Sequence, residues 1–204
     1  MKASEPESTG YRAPEPGTYL ARCVRLIDLG TQTNEYQGQT TTRRQVLVGW
    51  ELPTELIPDG EAQGLPFFIA KFYTLSLHEK ANLRHDLVNW RGKEFTVKEL
   101  KGFDLVKILG APSMLTVTLS ESGKTRVTGV TAIPRGTTLL PQVNESIYFS
   151  LEADEFDNKV FDSLSDGIKN MIKNSPEYEA LMGGALNDGF QNVDDYVDDE
   201  GISF

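Results

Sequence analysis

Cysteine, histidine and long apolar runs are all scarce in this chain of 204 residues. The single cysteine, Cys23, excludes an internal disulfide framework and any zinc or iron–sulfur site built from several cysteines. Only His78 and His85 are available as histidine ligands or general bases, so we expect no metal and no other cofactor. No stretch reaches the roughly 18 apolar residues of a membrane-spanning helix. These absences predict a cytoplasmic, non-enzymatic protein with no membrane segment.

Charge is distributed unevenly along the chain, although the net value is −10. Residues 150–204 hold 14 acidic and 3 basic side chains, whereas residues 1–149 hold 16 acidic and 17 basic ones. Residues 43–135 carry 13 basic against 10 acidic side chains. A near-neutral to slightly basic body therefore precedes a strongly acidic section. Acidic sections of this kind often bind other proteins, and they compete with polyanions for basic surfaces.

Composition divides the chain into four predicted parts. Residues 1–17 are polar and rich in Pro and Glu, which predicts a flexible arm unlike a secretory signal. Residues 18–149 contain the strand-like patterns and form the predicted core domain. Residues 150–182 form a helical segment. Residues 183–204 contain six acids and no Lys or Arg, and we expect disorder because little apolar burial could offset the ordering entropy.

Alternation of apolar and polar residues predicts five strands. They cover residues 18–28, 43–51, 66–74, 113–121 and 124–132. Polar residues 30–42 are predicted to be a loop. On the third strand, the period-2 rule places Phe68, Ala70 and Phe72 on one face and Phe67, Ile69, Lys71 and Tyr73 on the other.

Helical spacing appears in three places. After the third strand, a capping-box pattern at Ser76–Glu79 precedes Leu83, Leu87 and Trp90, and Gly92 ends the run. Residues 103–110 predict a further short helical turn. An apolar stripe from Phe156 to Ile172 predicts a C-terminal helix, with a shorter helix at 177–182.

The order strand, strand, strand, helix, strand, strand is that of an OB-fold, a five-stranded β-barrel with a helix between its third and fourth strands. A generic α+β domain with the same order is the alternative. OB-folds commonly bind oligonucleotides on strands 2 and 3 and on the loops that join strands 1–2 and 4–5. Since a fold does not define a function, the binding residues need their own argument.

Cations and aromatic rings at those places form a candidate DNA-binding set. Rings stack on bases, worth ~1–3 kcal/mol per base, and Lys or Arg neutralise phosphates. The candidates are Tyr36, Arg43, Lys71, Tyr73, Arg91, Lys93, Lys124 and Arg126. Each has a structural alternative: Tyr73 as a core residue, Lys124 and Arg126 as a solvated strand face, and Arg91 and Lys93 as cations at the negative end of a helix dipole.

The chain ends in an acidic run followed by an apolar residue and a terminal phenylalanine. The residues are Asp198, Asp199, Glu200, Gly201, Ile202, Ser203 and Phe204. This end resembles the tip of bacterial and phage single-stranded DNA-binding proteins, in which an acidic run precedes Ile-Pro-Phe or a lone terminal Phe. Here Gly201 is additional, and Ser203 stands where bacterial tips have Pro.

The body is also similar to small phage replication proteins, through residues 49–53 (GWELP), 90–93 (WRGK) and 103–105 (FDL). The two resemblances imply a protein that coats single-stranded DNA during phage DNA replication and recombination in the host cytoplasm. They also imply that Asp198, Asp199, Glu200, Ile202 and Phe204 bind partner enzymes. The alternatives are a non-enzymatic phage structural or adaptor protein that uses the barrel for protein–protein contacts, and a nuclease, whose metal-binding carboxylates the sequence does not show. The oligomeric state, site size and preference between DNA and RNA stay open.

Overall fold

A computed structural model describes residues 13–36, 38–138 and 140–188. In these described residues the fold is mainly β, with six antiparallel strands in one sheet that is not closed into a barrel. The strands are β1 (Gly17–Tyr36), β2 (Gln39–Leu56), β3 (Pro66–Thr74), β4 (Pro112–Leu119), β5 (Thr125–Thr131) and β6 (Ile147–Phe149). Hydrogen-bonded neighbours follow the order β3-β2-β1-β4-β5, and β6 pairs with β1. The prediction of five strands was therefore one strand short.

Five α-helices and one 3-10 helix accompany the sheet in the described residues. They are α1 (Asn82–Arg91), α2 (Val97–Lys101), the 3-10 helix (Leu105–Ile108), α3 (Asn158–Ser163), α4 (Asp166–Lys173) and α5 (Pro176–Asp188). The helix predicted between the third and fourth strands is α1, and the short turn predicted at 103–110 is the 3-10 helix. None of the described helices is long and apolar enough to cross a membrane.

The loop predicted at residues 30–42 was wrong, because most of it continues the first two strands. Strand β1 runs on to Tyr36 and β2 begins at Gln39, with Gly38 in the turn at φ 75°. The paired ends of β1 and β2 at Asp28–Gln45 form a two-stranded ribbon, across which the Thr33 and Thr42 hydroxyls lie 3.3 Å apart. Backbone pairing needs no apolar residues, so an exposed hairpin of polar residues leaves no alternation for sequence reading to detect.

The capping box predicted at Ser76–Glu79 was also wrong. Ser76 Oγ accepts a hydrogen bond from the His78 N–H at 3.1 Å, which closes a local turn, and α1 begins after Ala81 without a side-chain cap. The capping box of this region precedes α2, where Thr96 and Glu99 bond reciprocally. Serine hydroxyls bond nearby N–H groups in turns as readily as at helix starts. The end of α1 at Gly92 was predicted correctly, and Gly92 has a φ of 66°.

One compact unit comprises the chain up to Ile27 and Val46–Tyr148. Its core gathers the inner faces of the strands with the buried side of α1, from which Leu83, Leu87 and Trp90 project. The Trp50 and Trp90 rings lie 5.9 Å apart, and both are buried. Both rings therefore belong to the core of this unit.

Glu51 is a fully buried carboxylate on β2. It accepts hydrogen bonds from the Val143 N–H at 3.1 Å and from the Asn144 N–H and Nδ2, both at 2.8 Å. Three donors compensate the loss of water around a buried charge. The segment between β5 and β6 is thereby fastened to the sheet.

The second compact unit comprises Asp28–Gln45 and the chain from Phe149. An aromatic cluster of Phe149, Phe156, Phe161 and Tyr178 forms part of its interior, with ring centroids 5.4 to 6.2 Å apart. Thr31 donates from its backbone N–H and its hydroxyl to the Glu177 carboxylate at 2.8 and 2.5 Å. These bonds fix the start of α5 to the ribbon.

The continuous C-terminal helix predicted from Phe156 to Ile172 is in fact two helices. Leu164 and Ser165 adopt extended backbone conformations, with ψ values of 152° at both residues, and separate α3 from α4. Leu164 is buried, so the apolar stripe continues through the break and conceals it from periodicity analysis. Helix α5 reaches Asp188, beyond residue 182, where the predicted short helix ends.

Candidate nucleic-acid interface

The inner face of β3 carries two of the predicted DNA-binding residues, Lys71 and Tyr73. Tyr73 is 3% exposed, and its hydroxyl donates to Asp86 Oδ2 at 2.7 Å. Lys71 Nζ donates to the same oxygen at 2.6 Å. Burial, followed by the nearby Asp86 charge, raises the pKa of Tyr73 above its ordinary value. The prediction that Tyr73 stacks on bases is wrong, because its ring lies in the core, and the Lys71 charge is already paired.

The outer face of β3 carries the exposed rings that sequence reasoning did not select. Phe72 is 50% exposed, and Phe68 is half-buried beneath the Arg25 guanidinium, 4.4 Å from the ring centroid. Phe68 packs directly over Gly49 of β2, where a Cβ atom would come within 2.4 Å of Phe68 Cζ. The sequence signal was present: Phe68 and Phe72 share a face that excludes the buried Ile69. The prediction favoured the opposite face of β3 because that face carries the cation Lys71.

Lys124 and Arg126 lie together on the hairpin between β4 and β5, and both are exposed. The turn is closed by Ser120, whose N–H donates to the Lys124 carbonyl at 2.8 Å and whose Oγ accepts from the Lys124 N–H at 3.0 Å. Val127 is buried on the opposite side of β5. Neither cation forms an ion pair with any residue that the structure describes, so both are available to phosphates.

Arg91 and Lys93 lie at the end of α1, where they differ in environment. Arg91 forms an ion pair with Glu99, and its guanidinium lies over the rings of Phe95 and Phe103, 4.4 and 4.9 Å from their centroids. Lys93 is exposed. The Thr96 backbone N–H, with further help from the Thr96 hydroxyl and Arg91, holds the pKa of Glu99 below its usual value.

Two remaining candidates belong to the ribbon of the second unit. Arg43 is exposed on β2, while its neighbour Arg44 pairs with Asp28 and with Glu152, the latter at 3.0 Å. Tyr36 ends β1, and its side chain lies outside what the structure describes. The predicted partner-binding tip, Asp198, Asp199, Glu200, Ile202 and Phe204, also lies outside the described residues.

The described side chains include no cluster of three or more His, Cys, Asp or Glu residues that could hold a metal ion. The exposed cations Lys93, Lys124 and Arg126 and the exposed Phe72 ring are candidate nucleic-acid contacts in the described residues. Comparisons with protein-family models, curated proteins and solved structures found no match to this chain.

Proposed function

We propose that this protein binds single-stranded DNA through an OB-type sheet. The observation that carries the proposal is the strand order β3-β2-β1-β4-β5, with α1 inserted between β3 and β4. This is the order around an OB barrel that is opened between its third and fifth strands. Strands β3 and β5 contact each other, and α1 contacts both, as the helix of an OB-fold does.

The outer face supplies the two kinds of group that unpaired nucleotides need. Phe72 on β3 offers a half-exposed ring for stacking, while Lys124 and Arg126 on the β4–β5 hairpin offer charges for phosphates. Stacking and charge neutralisation require no sequence readout, so binding is expected to tolerate any base sequence. Such a protein coats single strands during phage replication and recombination in the host cytoplasm.

The acidic section gives the proposed protein its second activity. Asp198, Asp199 and Glu200 steer the encounter with a basic partner, and Ile202 and Phe204 supply apolar anchors. Replication or recombination enzymes are the proposed partners. This part of the proposal is supported by the sequence of the tip and by its resemblance to other single-stranded DNA-binding proteins.

Fluorescence anisotropy with a labelled oligothymidylate of about 16 nucleotides tests DNA binding. The full chain is titrated at low and moderate salt, beside Lys124→Gln/Arg126→Gln and the charge-matched control Lys80→Gln/Arg135→Gln. Lys80 and Arg135 are exposed and lie outside the hairpin. We expect the hairpin variant to lose about tenfold in affinity and to show a salt slope shallower by about 0.7 per lost phosphate contact.

Two outcomes would contradict the proposal. Absence of binding by the full chain at low salt removes the function itself. Equal losses in the hairpin variant and its control show that net charge alone controls binding, so that the hairpin is no binding element.

An adaptor role is a second candidate, because several large apolar side chains are exposed. They are Leu56, Leu65, Val97, Leu119, Leu140 and Val143, each at least 47% exposed. Exposed apolar groups of this kind favour protein–protein contacts. A solution mass that exceeds one chain and is unchanged by DNA, together with absent anisotropy change, would favour this candidate over DNA binding.

A further inference from the structure

A second place on the same unit combines a cavity, an aromatic ring and cations. The cavity has a volume of about 390 Å³, within the size range of small-molecule sites. It lies between the end of α1, the 3-10 helix and the start of β4. Trp90, Arg91, Lys93, Phe103, Lys107 and Pro112 are among the residues that line it.

The walls of this cavity are fixed by hydrogen bonds of the fold. The Trp90 Nε1 group donates to the Pro112 carbonyl at 2.6 Å. On β1, the Cys23 backbone N–H donates to the Ala111 carbonyl at 3.0 Å, and the Cys23 carbonyl accepts from the Gly110 N–H at 2.7 Å. A site whose walls are ordered in advance binds without the entropic cost of arranging them.

The cavity lining is positively charged. Its one carboxylate, Glu99, is engaged by Arg91 and by the Thr96 N–H and hydroxyl. Lys93 and Lys107 are exposed at the cavity and form no ion pair with another described residue. Among the described residues that line the cavity, two ammonium groups are thus available to an anion, and the one carboxylate is already engaged.

Aromatic and donor groups complete the lining. Phe103 is half-buried, held edge-on against Phe95 with ring centroids 5.2 Å apart. Arg91 Nη1 is buried and has no hydrogen-bond partner among the described residues. This nitrogen is closed off from the cavity, so Arg91 contributes to the lining through its ion pair with Glu99 and its ring contacts.

We propose that this cavity binds one nucleotide of the single strand, with its base against Phe103 and its phosphate between Lys93 and Lys107. This inference rests on the proposed function and adds a subsite away from the β4–β5 hairpin. A ligand that is planar at one end and anionic at the other matches the ring and the two ammonium groups. Arg91 acts as a positioning residue, because its ion pair and ring contacts hold Phe103 and Glu99 in place.

Two variants of the full chain test the two halves of the subsite. Lys93→Gln/Lys107→Gln removes the phosphate contact, and its control is Lys98→Gln/Lys101→Gln, which removes two exposed lysines of α2 that do not line the cavity. Phe103→Leu keeps most of the apolar volume and removes the ring. Each variant is titrated with oligothymidylate and with an abasic phosphodiester oligomer of equal length, and the intrinsic tryptophan emission is recorded.

We expect the cavity lysine variant to bind both oligomers about tenfold more weakly, while its α2 control binds within about twofold of the parent protein. Phe103→Leu should lose roughly fivefold for oligothymidylate and nothing for the abasic oligomer. Oligothymidylate should change the tryptophan emission of the parent protein more than the abasic oligomer does, because Trp90 lines the cavity.

The subsite is overturned if the parent protein binds DNA while the cavity lysine variant and its control lose affinity equally. It is also overturned if Phe103→Leu weakens binding of both oligomers alike, because the ring would then act through the fold. Failure of the parent protein to bind any oligomer refutes the proposed function instead, so the two failures are distinguishable.

Discussion

Gly49 lies beneath the Phe68 ring, and replacing it with alanine tests this packing directly. The added Cβ would lie 2.4 Å from Phe68 Cζ, 2.7 Å from Phe68 Cε2 and 3.1 Å from Arg25 Cβ. The first two distances are far below van der Waals contact, so the ring must leave its place. Since Gly49 does not have a positive φ, its backbone suits alanine and the cost comes from the contact.

The size of the effect follows from what the ring loses when it moves. A half-buried phenyl group loses on the order of 1 kcal/mol of apolar burial, and its partly exposed contact with the Arg25 guanidinium contributes about 0.5–1 kcal/mol. Gly49→Ala should therefore lower the free energy of unfolding by about 1.5–2 kcal/mol, within the usual range for overpacking. Phe68→Ala should cost a similar amount alone, because it abolishes the same contacts.

The decisive measurement is a double-mutant cycle by urea denaturation of the four proteins. With Phe68→Ala already present, Gly49→Ala should be nearly neutral, because only the 3.1 Å contact to Arg25 Cβ is left and alanine restricts the unfolded chain. The coupling free energy should be about 1–2 kcal/mol. Additivity of the two single changes to within about 0.5 kcal/mol would refute the packing argument.

Three further predictions concern separate parts of the same unit. Asp86→Ala leaves the Tyr73 hydroxyl and the Lys71 ammonium without their acceptor, so urea denaturation should show a free energy of unfolding lower by about 2–4 kcal/mol. Asp86→Asn keeps an acceptor and should lose less. Equal losses in the two variants would contradict this reasoning. Burial raises the pKa of the Cys23 thiol from 9.0 to about 12. The thiol therefore loses its proton at lower pH in the unfolded chain than in the folded protein, and the free energy of unfolding should fall as pH rises from about 9 to about 12. Cys23→Ala should show a smaller fall over this pH range, and an unchanged fall would show that Cys23 is not responsible. Phe72→Ser should lower the unfolding free energy by only about 1 kcal/mol, because half of the ring is already exposed, so the protein stays folded, yet it should weaken oligothymidylate binding severalfold. An unchanged anisotropy titration would remove Phe72 from the interface.

Sequence patterns predicted the parts of the fold that depend on burial. Strand β3 matches its predicted range, and Leu83, Leu87 and Trp90 form the buried face of α1 as their spacing indicates. The ribbon at Asp28–Gln45 was missed because exposed backbone pairing leaves no apolar period. The break at Leu164 was missed because a buried residue continued the stripe across it.

The candidate site was harder to predict, because residue type does not reveal which partner a side chain meets inside the fold. Lys71 and Tyr73 have suitable chemistry, but Asp86 comes from a helix that follows them and binds both. Lys124 and Arg126 lie on an exposed hairpin, as their position at the start of the predicted fifth strand indicated. Phe103 and Lys107 were not among the predicted binding residues, because only the structure shows that they line one cavity with the end of α1.

The hydrogen bonds from Val143 and Asn144 to the buried Glu51 carboxylate determine where this chain tolerates inserted sequence. Peptide tags inserted at the turn around Ser122 and Gly123 should leave folding intact, because no distant group depends on that backbone. Tags inserted between Val143 and Asn144 should separate the Val143 donor from the two Asn144 donors that bind the same carboxylate, leaving the buried Glu51 charge without part of its hydrogen bonding. A reporter peptide is therefore better inserted at the β4–β5 turn than between Val143 and Asn144. The sequence alone does not reveal this difference, because both segments read as ordinary surface loops.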